Sequence, residues 1–218
     1  MRIVIAGGHG QIALLTSRIL TARGIAVTGL IRHASQSPDL AAVGATPAVL
    51  DLESASPSDV ADVLSGADAT VFAAGAGPGS GVERKYTMDR DGSVKLATAA
   101  EAAGVPHFVQ ISTMGAGSPP APGSDEVWKA YIDAKTQAED DLRARSLRWQ
   151  ILRPGRLTDT PGTGLVTLSP PPVAAGAVPR ADVASVLATL LTTANLPNLT
   201  LELTTGPTPI TEAIEKAR

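Results

Sequence analysis

No cysteine occurs among the 218 residues, which excludes disulfides, thiolate metal sites and thiol nucleophiles together. Histidine is nearly as scarce. His9, His33 and His107 stand far apart without the short spacing of metal ligands, so no zinc site is expected. Charge is sparse too: Asp, Glu, Lys and Arg make up 18% of the chain, with a formal net charge of −3. The 18 Lys and Arg residues are scattered, whereas a nucleic-acid-binding surface gathers positive charge into a patch that displaces counterions from phosphates. No nucleic-acid partner is expected. No apolar run approaches the ~20 residues of a membrane span, and the chain opens on an apolar strand rather than on a signal core with a cleavage site. These absences lead to the expectation of a soluble, cytoplasmic protein with no membrane partner and no metal. Nothing in the pattern fixes an oligomeric state.

What is present is an ordinary apolar fraction of 44% arranged in a strict alternation. Short β-branched runs predict strands at Arg2–Ala6, Ala26–Ile31, Ala48–Asp51, Ala69–Ala73, His107–Ser112 and Trp149–Leu152. Longer Ala- and Leu-rich runs predict helices near 10–23, 57–65, 87–103 and 124–146. Strands that are apolar throughout, such as Ile3-Val4-Ile5-Ala6, suit a parallel sheet covered on both faces. Alternation with helices implies β–α–β units with right-handed crossovers. Ser56-Pro57-Ser58-Asp59 has the chemistry of a helix start, and Gly104 that of a helix end. Val183, Val186, Leu187, Leu190 and Leu191 make one apolar stripe of a late packed helix. The length suits one domain over 1–218, with a cofactor-binding core at 1–153 and substrate-side loops at 154–218. Pro and Gly cluster at 75–81, 115–123 and 154–179. The last stretch, with Pro170-Pro171-Pro172, is expected to be irregular and to cap the pocket.

The first strand runs into Gly7-Gly8-His9-Gly10-Gln11-Ile12-Ala13. Glycines there permit a tight turn and a close backbone approach to a pyrophosphate, which would accept from N–H groups at the helix start. In this strand–turn–helix context the pattern points to a dinucleotide. The end of the second strand distinguishes the two nicotinamide cofactors. An acid there would hold the ribose of NAD, and an arginine would pair with the 2′-phosphate of NADP. The sequence has Arg32-His33, which favours NADP(H).

Tyr131 and Lys135 are four residues apart and therefore share a helix face. A phenol ordinarily ionises near pH ~10 and is a poor base at neutrality; a neighbouring cation favours its charged form and suits it to proton transfer. A hydroxyl is then needed to polarise the reacting oxygen, and Ser112-Thr113 end the fifth strand. The other tyrosine, Tyr86, has no lysine at the same spacing. Trp128, one helical turn before Tyr131, either faces the pocket or lies in the core.

Together with Asp51-Leu52, Ala73-Ala74-Gly75, Ile111-Ser112-Thr113 and Arg153-Pro154-Gly155, these motifs resemble the short-chain dehydrogenase/reductase superfamily. They are most similar to its atypical branch of NAD(P)-dependent epimerase/dehydratase-like and NAD(P)H-binding proteins. The resemblance covers almost the whole chain, including Arg180-Ala181-Asp182-Val183-Ala184 at the start of a late helix. It implies an α/β, Rossmann-like doubly wound sheet of about seven strands, with helices on both faces and a small C-terminal capping region. It further implies that Gly7, Gly8, His9, Gly10, Gln11, Ile12, Arg32 and His33 hold the phosphates, and that Asp51 and Leu52 flank the adenine. Ala73, Ala74 and Gly75 would line the ribose and pyrophosphate, and Ile111, Lys135, Pro154 and Gly155 would adjoin the nicotinamide end. Thr113, with Ser112 beside it, would be the catalytic hydroxyl, and Tyr131 and Lys135 the proton relay. Where many members have an asparagine that positions the lysine, this chain has Asp89, which alters the relay. The implied function is an NADP(H)-dependent oxidoreductase or epimerase-like enzyme acting on the carbonyl or alcohol carbon of a small substrate. Two other readings stand beside it: a non-catalytic NADP(H)-sensing regulator, and a flavin or quinone reductase that does not use Tyr131.

Overall fold

The computed structural model describes residues 1–77, 79–193 and 195–218. In chain order the elements are β1 (Arg2–Ala6), α1 (Gln11–Ala22), β2 (Ala26–Ile31), α2 (Ser37–Ala42), β3 (Thr46–Val49), α3 (Pro57–Leu64), β4 (Ala69–Phe72) and α4 (Val82–Arg84). They continue with α5 (Asp91–Ala102), β5 (His107–Ile111), α6 (Glu126–Arg143), β6 (Arg148–Pro154), β7 (Arg156–Thr158), β8 (Leu165–Ser169) and β9 (Ala177–Pro179). The chain closes with α7 (Arg180–Thr192), β10 (Leu199–Thr205), β11 (Thr208–Pro209) and α8 (Ile210–Lys216).

Nine of these strands form one sheet in the order β11-β8-β10-β6-β5-β4-β1-β2-β3. Seven of them, β3-β2-β1-β4-β5-β6-β10, are mutually parallel. The seven expected strands are thus a parallel core, and the antiparallel β8 and β11 extend its edge to nine. The strand order reverses at β1, which pairs β2 on one side and β4 on the other, Ile3 standing level with Val27 and Ala69. A crevice opens at such a reversal, beyond the C-terminal ends of the strands.

Each face of the sheet carries its own core. Ile3 and Ile5 point to one side, against Leu20 of α1, Leu40 of α2 and Val183, Leu187 and Leu190 of α7. Val4 and Ala6 point to the other, against Val60 and Leu64 of α3, Leu96 and Ala100 of α5 and Leu142 of α6. Alternation along one strand therefore feeds both layers, and each fully buried Val, Leu or Ile among them contributes about 1.5–3 kcal/mol. The expected helix ends are present. Ser56 caps α3 and receives the Asp59 N–H, while the Asp59 side chain reaches back to Ser56. Gly104, at φ +68°, closes α5.

Three expectations are corrected. The third strand lies two residues earlier than expected, at Thr46–Val49, so Asp51 and Leu52 follow it in a turn that the Asp51 carboxylate holds by accepting the Glu53 N–H at 3.0 Å. The helix expected near 87–103 begins earlier, with α4, and passes through a wide π-type turn over Lys85–Arg90 before α5. Residues 154–179 are not irregular, since they supply β7, β8 and β9. Nor do Pro170–Pro172 cap the cleft at the strand ends. Pro172 lines a separate cavity of about 640 Å³ with Thr167, Ser169 and Thr204. Asp182 sits in the first turn of α7; its carboxylate also accepts the N–H groups of Thr163 and Gly164 at 3.0 and 2.9 Å.

Candidate functional site

The glycine turn sits where it does for steric reasons. Gly7 has φ +77°, and a Cβ there would lie 2.6 Å from the Ala74 Cα. A Cβ on Gly8 would lie 2.6 Å from the Gly29 Cα of β2. The turn is therefore pressed between β2 and the segment after β4, and only glycine fits. Gly10 caps α1 without a side-chain partner, so the N–H groups of Gln11, Ile12 and Ala13, which have no acceptor within the helix, face the crevice. This is the donor set a diphosphate requires. The His9 ring turns the other way, bonding Asp39 at 2.7 Å and Gln36 at 3.2 Å, and braces the turn against α2.

From this turn a cleft of about 580 Å³ runs along the strand ends, within the range of small-molecule sites. Its walls bring together Gly10, Gln11 and Ile12 with Ala73, Ala74 and Gly75, Ile111, Ser112 and Thr113, Tyr131 and Lys135, and Pro154 and Gly155. These residues come from five separate parts of the chain. Arg32 and His33 stand outside the enclosed part, exposed at the end of β2, with Arg32 Nε donating to His33 Nε2 at 3.1 Å. Arg32 also lies 3.7 Å from Glu53. The Glu53 carboxylate is chiefly bound by Arg84, at 2.9 Å; the Arg84 hydrogen bond holds its carboxyl below the usual range, against the opposing effect of burial. Pro78, in the Pro- and Gly-rich stretch 75–81, lies outside the described residues. Asp125, Val127 and Trp128 reach the cleft from the start of α6, and Leu157 from β7.

At the centre, helix α6 delivers Tyr131 and Lys135 on one face. The Lys135 ammonium is 5.8 Å from the centroid of the Tyr131 ring. It donates to the Ile111 carbonyl at 3.1 Å and pairs with Asp89 Oδ1 at 3.3 Å. Asp89 Oδ2 in turn accepts the Ala76 N–H at 3.2 Å. Both members of the pair are buried. The Ser112 hydroxyl is buried at the cleft wall and has no hydrogen-bond partner among the described residues. Among the described residues the Thr113 hydroxyl makes only a 3.3 Å contact to the Met114 carbonyl. Trp128 belongs to the pocket and not to the core: it is 43% exposed, lines the cleft mouth and meets Tyr131 with ring centroids 5.6 Å apart. One buried pair fixes the frame behind these groups: Arg153 Nε of β6 donates to Glu139 Oε1 of α6 at 2.9 Å. Sequence reading did not single out Lys85, which lines the same wall. It lies in the run Val82-Glu83-Arg84-Lys85, which reads as a solvated helix start until packing buries it.

A nine-stranded Rossmann-like sheet with a glycine-lined crevice at its reversal point defines a dinucleotide-binding protein. The chain belongs to the NAD(P)H-binding family, whose model matches residues 7–194, and its cofactor class is accordingly a nicotinamide dinucleotide. A Bacillus subtilis protein named as an uncharacterized sugar epimerase, YhfK, is 34% identical over 217 residues, covering 99% of this chain and 100% of its own. A Bacillus halodurans structure, provisionally named an NAD-dependent epimerase/dehydratase, has a TM-score of 0.90 at 32% identity and covers 99% of both chains. The oxidoreductase YlbE of Lactococcus lactis has a TM-score of 0.85 at 26% identity, covering 99% of this chain and 96% of its own. The fold is that of the atypical short-chain dehydrogenase/reductase branch.

Proposed function

We propose that this protein is an NADP(H)-dependent oxidoreductase or epimerase-like enzyme acting on a carbonyl or alcohol carbon of a small, flat, largely apolar substrate. One observation carries the reading: Tyr131, with the Lys135 ammonium beside its ring, lines the same cleft as the bare helix start at Gly10–Ile12. A nicotinamide dinucleotide bound along that cleft supplies or accepts the hydride. The chain's own part is binding, orientation and the proton. The N–H groups of Gln11, Ile12 and Ala13 hold the diphosphate, and Arg32 meets the 2′-phosphate. Tyr131 passes its phenolic proton to the substrate oxygen, and the Lys135 ammonium stabilises the charge left on the phenol. Asp89 keeps Lys135 extended into the site. The Thr113 hydroxyl donates to the reacting oxygen, with Ser112, whose own hydroxyl is buried and unpartnered, beside it. The name of the Bacillus subtilis relative and that of the Lactococcus lactis oxidoreductase both agree with chemistry at such a carbon.

The exposed Trp128 face favours a second reading, in which a stacked flavin or quinone ring takes hydride directly and Tyr131 is idle. Tyr131→Phe separates the two. The first reading expects NADPH binding to persist by calorimetry while carbonyl turnover falls by about two to four orders of magnitude, the usual loss of a general acid. Undiminished turnover in that variant would transfer the case to the second reading.

A further inference from the structure

Three cations line the cleft: Lys85, Lys135 and Arg180. Two of them are matched by carboxylates, Lys135 by Asp89 at 3.3 Å and Arg180 by Asp159 at 2.7 Å. Lys85 is different. It is only 8% exposed, yet its ammonium is met by two neutral acceptors, the Gly77 carbonyl at 3.2 Å and the Ser80 hydroxyl at 2.8 Å. No carboxylate of the described residues comes within ion-pairing distance of it. Asp125, the other acid in the lining, is turned to cap α6, where it accepts the Trp128 N–H at 2.8 Å. An ammonium taken out of water without a counter-charge costs stability. Its three N–H donors outnumber the two acceptors.

The surroundings say what would complete it. Lys85 opens the π-type turn Lys85–Arg90, a feature common at functional sites. Its Nζ lies 5.5 Å from the Tyr131 ring centroid, and Lys135 approaches that same ring at 5.8 Å. Trp128 packs against Tyr131 at the cleft mouth. A ligand atom that accepts from Lys85 is therefore within one small molecule's reach of the Tyr131 phenol and of an aromatic face. We propose that Lys85 is the receptor for a carboxylate of the substrate, so that the substrate class is a flat, apolar carbonyl or hydroxy acid. A single ammonium matches the single charge of a carboxylate. The proposal rests on the function proposed above and names the substrate class of the same site. It differs from a purely structural role, in which Lys85 only ties down the loop at Gly77 and Ser80, because that role needs a donor and not a charge.

The test titrates benzoate and its neutral isostere benzamide into the protein by calorimetry, with and without saturating NADPH, in wild type, Lys85→Gln and Lys85→Arg. Lys85→Gln keeps a donor for the loop and removes the charge; Lys85→Arg keeps both. Benzoate should bind wild type in preference to benzamide. It should weaken by roughly tenfold or more in Lys85→Gln, as loss of one charge-assisted contact entails, and return substantially in Lys85→Arg, with NADPH affinity the same in all three. Equal binding of benzoate and benzamide, no benzoate binding to wild type, or equal benzoate binding by wild type and Lys85→Gln overturns the proposal. So does a parallel loss of NADPH affinity in Lys85→Gln, which would make Lys85 part of the cofactor's own site. Benzoate binding that depends on Lys85 in a chain that takes up no NADPH would sustain the carboxylate site and remove only the proposed function.

Discussion

Asp89 and Lys135 form a buried ion pair, Oδ1 to Nζ 3.3 Å, that links the π-type turn before α5 to the middle of α6 and fixes the lysine beside Tyr131. Neither side chain has meaningful access to water, so removing one partner strands the other charge. Asp89→Asn and Lys135→Met should each destabilise the fold by about 3–5 kcal/mol, the cost of breaking a buried pair from one side. The double variant should cost clearly less than the sum, because no charge is left behind. Urea unfolding of the four proteins gives the coupling directly. Strict additivity would mean that the two groups do not sense each other, and Asp89 would then have no positioning role.

Cofactor preference is tested at the end of β2. Arg32 is nearly half exposed, and its acidic neighbour Glu53 is already bound by Arg84, so the guanidinium is available to a phosphate. Arg32→Ala should weaken NADPH by about tenfold or more, equivalent to one charge-assisted hydrogen bond of roughly 1.5–3 kcal/mol, and leave NADH nearly unchanged. Fluorescence titration with both reduced cofactors measures the ratio. A uniform loss of both would remove Arg32 from the choice between them.

How much of this was legible in the sequence depended on whether the cause was local. β1, the glycine turn and α1 were readable because strand pattern, turn glycines and helix start all lie within adjacent residues. Tyr131 and Lys135 share a face by helical spacing alone, and their position in the cleft follows from β5 preceding them. β3 was misplaced because Thr46–Val49 is a short, half-exposed edge strand carrying a proline; its burial is set by β2 and not by its own pattern. The strands β7, β8 and β9 were hidden among prolines and glycines, and two of the three are only three residues long. Lys85 illustrates the same limit most sharply. Nothing in a charged run announces burial, which arises only when the loop after β4 and helix α6 close over it.

Burial also makes a pH-dependence readable at His107, on β5. Desolvation lowers this imidazole from its ordinary 6.5 to about 4, with the Arg148 charge adding to the effect and the hydrogen bond with Gln150 opposing it. The folded protein thus keeps His107 neutral where the unfolded chain protonates it. Between 6.5 and about 4 the unfolded state binds the extra proton, so stability rises with pH through that window and is lost as pH falls through it. Below about 4 both states are protonated and the contribution stops changing. Over the interval from pH 7 to pH 5 the expected loss is about 2 kcal/mol. Carboxylates begin to titrate near the lower end of this range, so the measurement must be differential. Urea unfolding of wild type and His107→Asn, at both pH values, isolates the imidazole, because the amide keeps a polar partner for Gln150 and cannot take up the proton. The wild type should lose about 2 kcal/mol more than the variant. Equal losses in the two proteins would mean that His107 reaches water in the folded state, contrary to its position between β4 and β6 in the sheet.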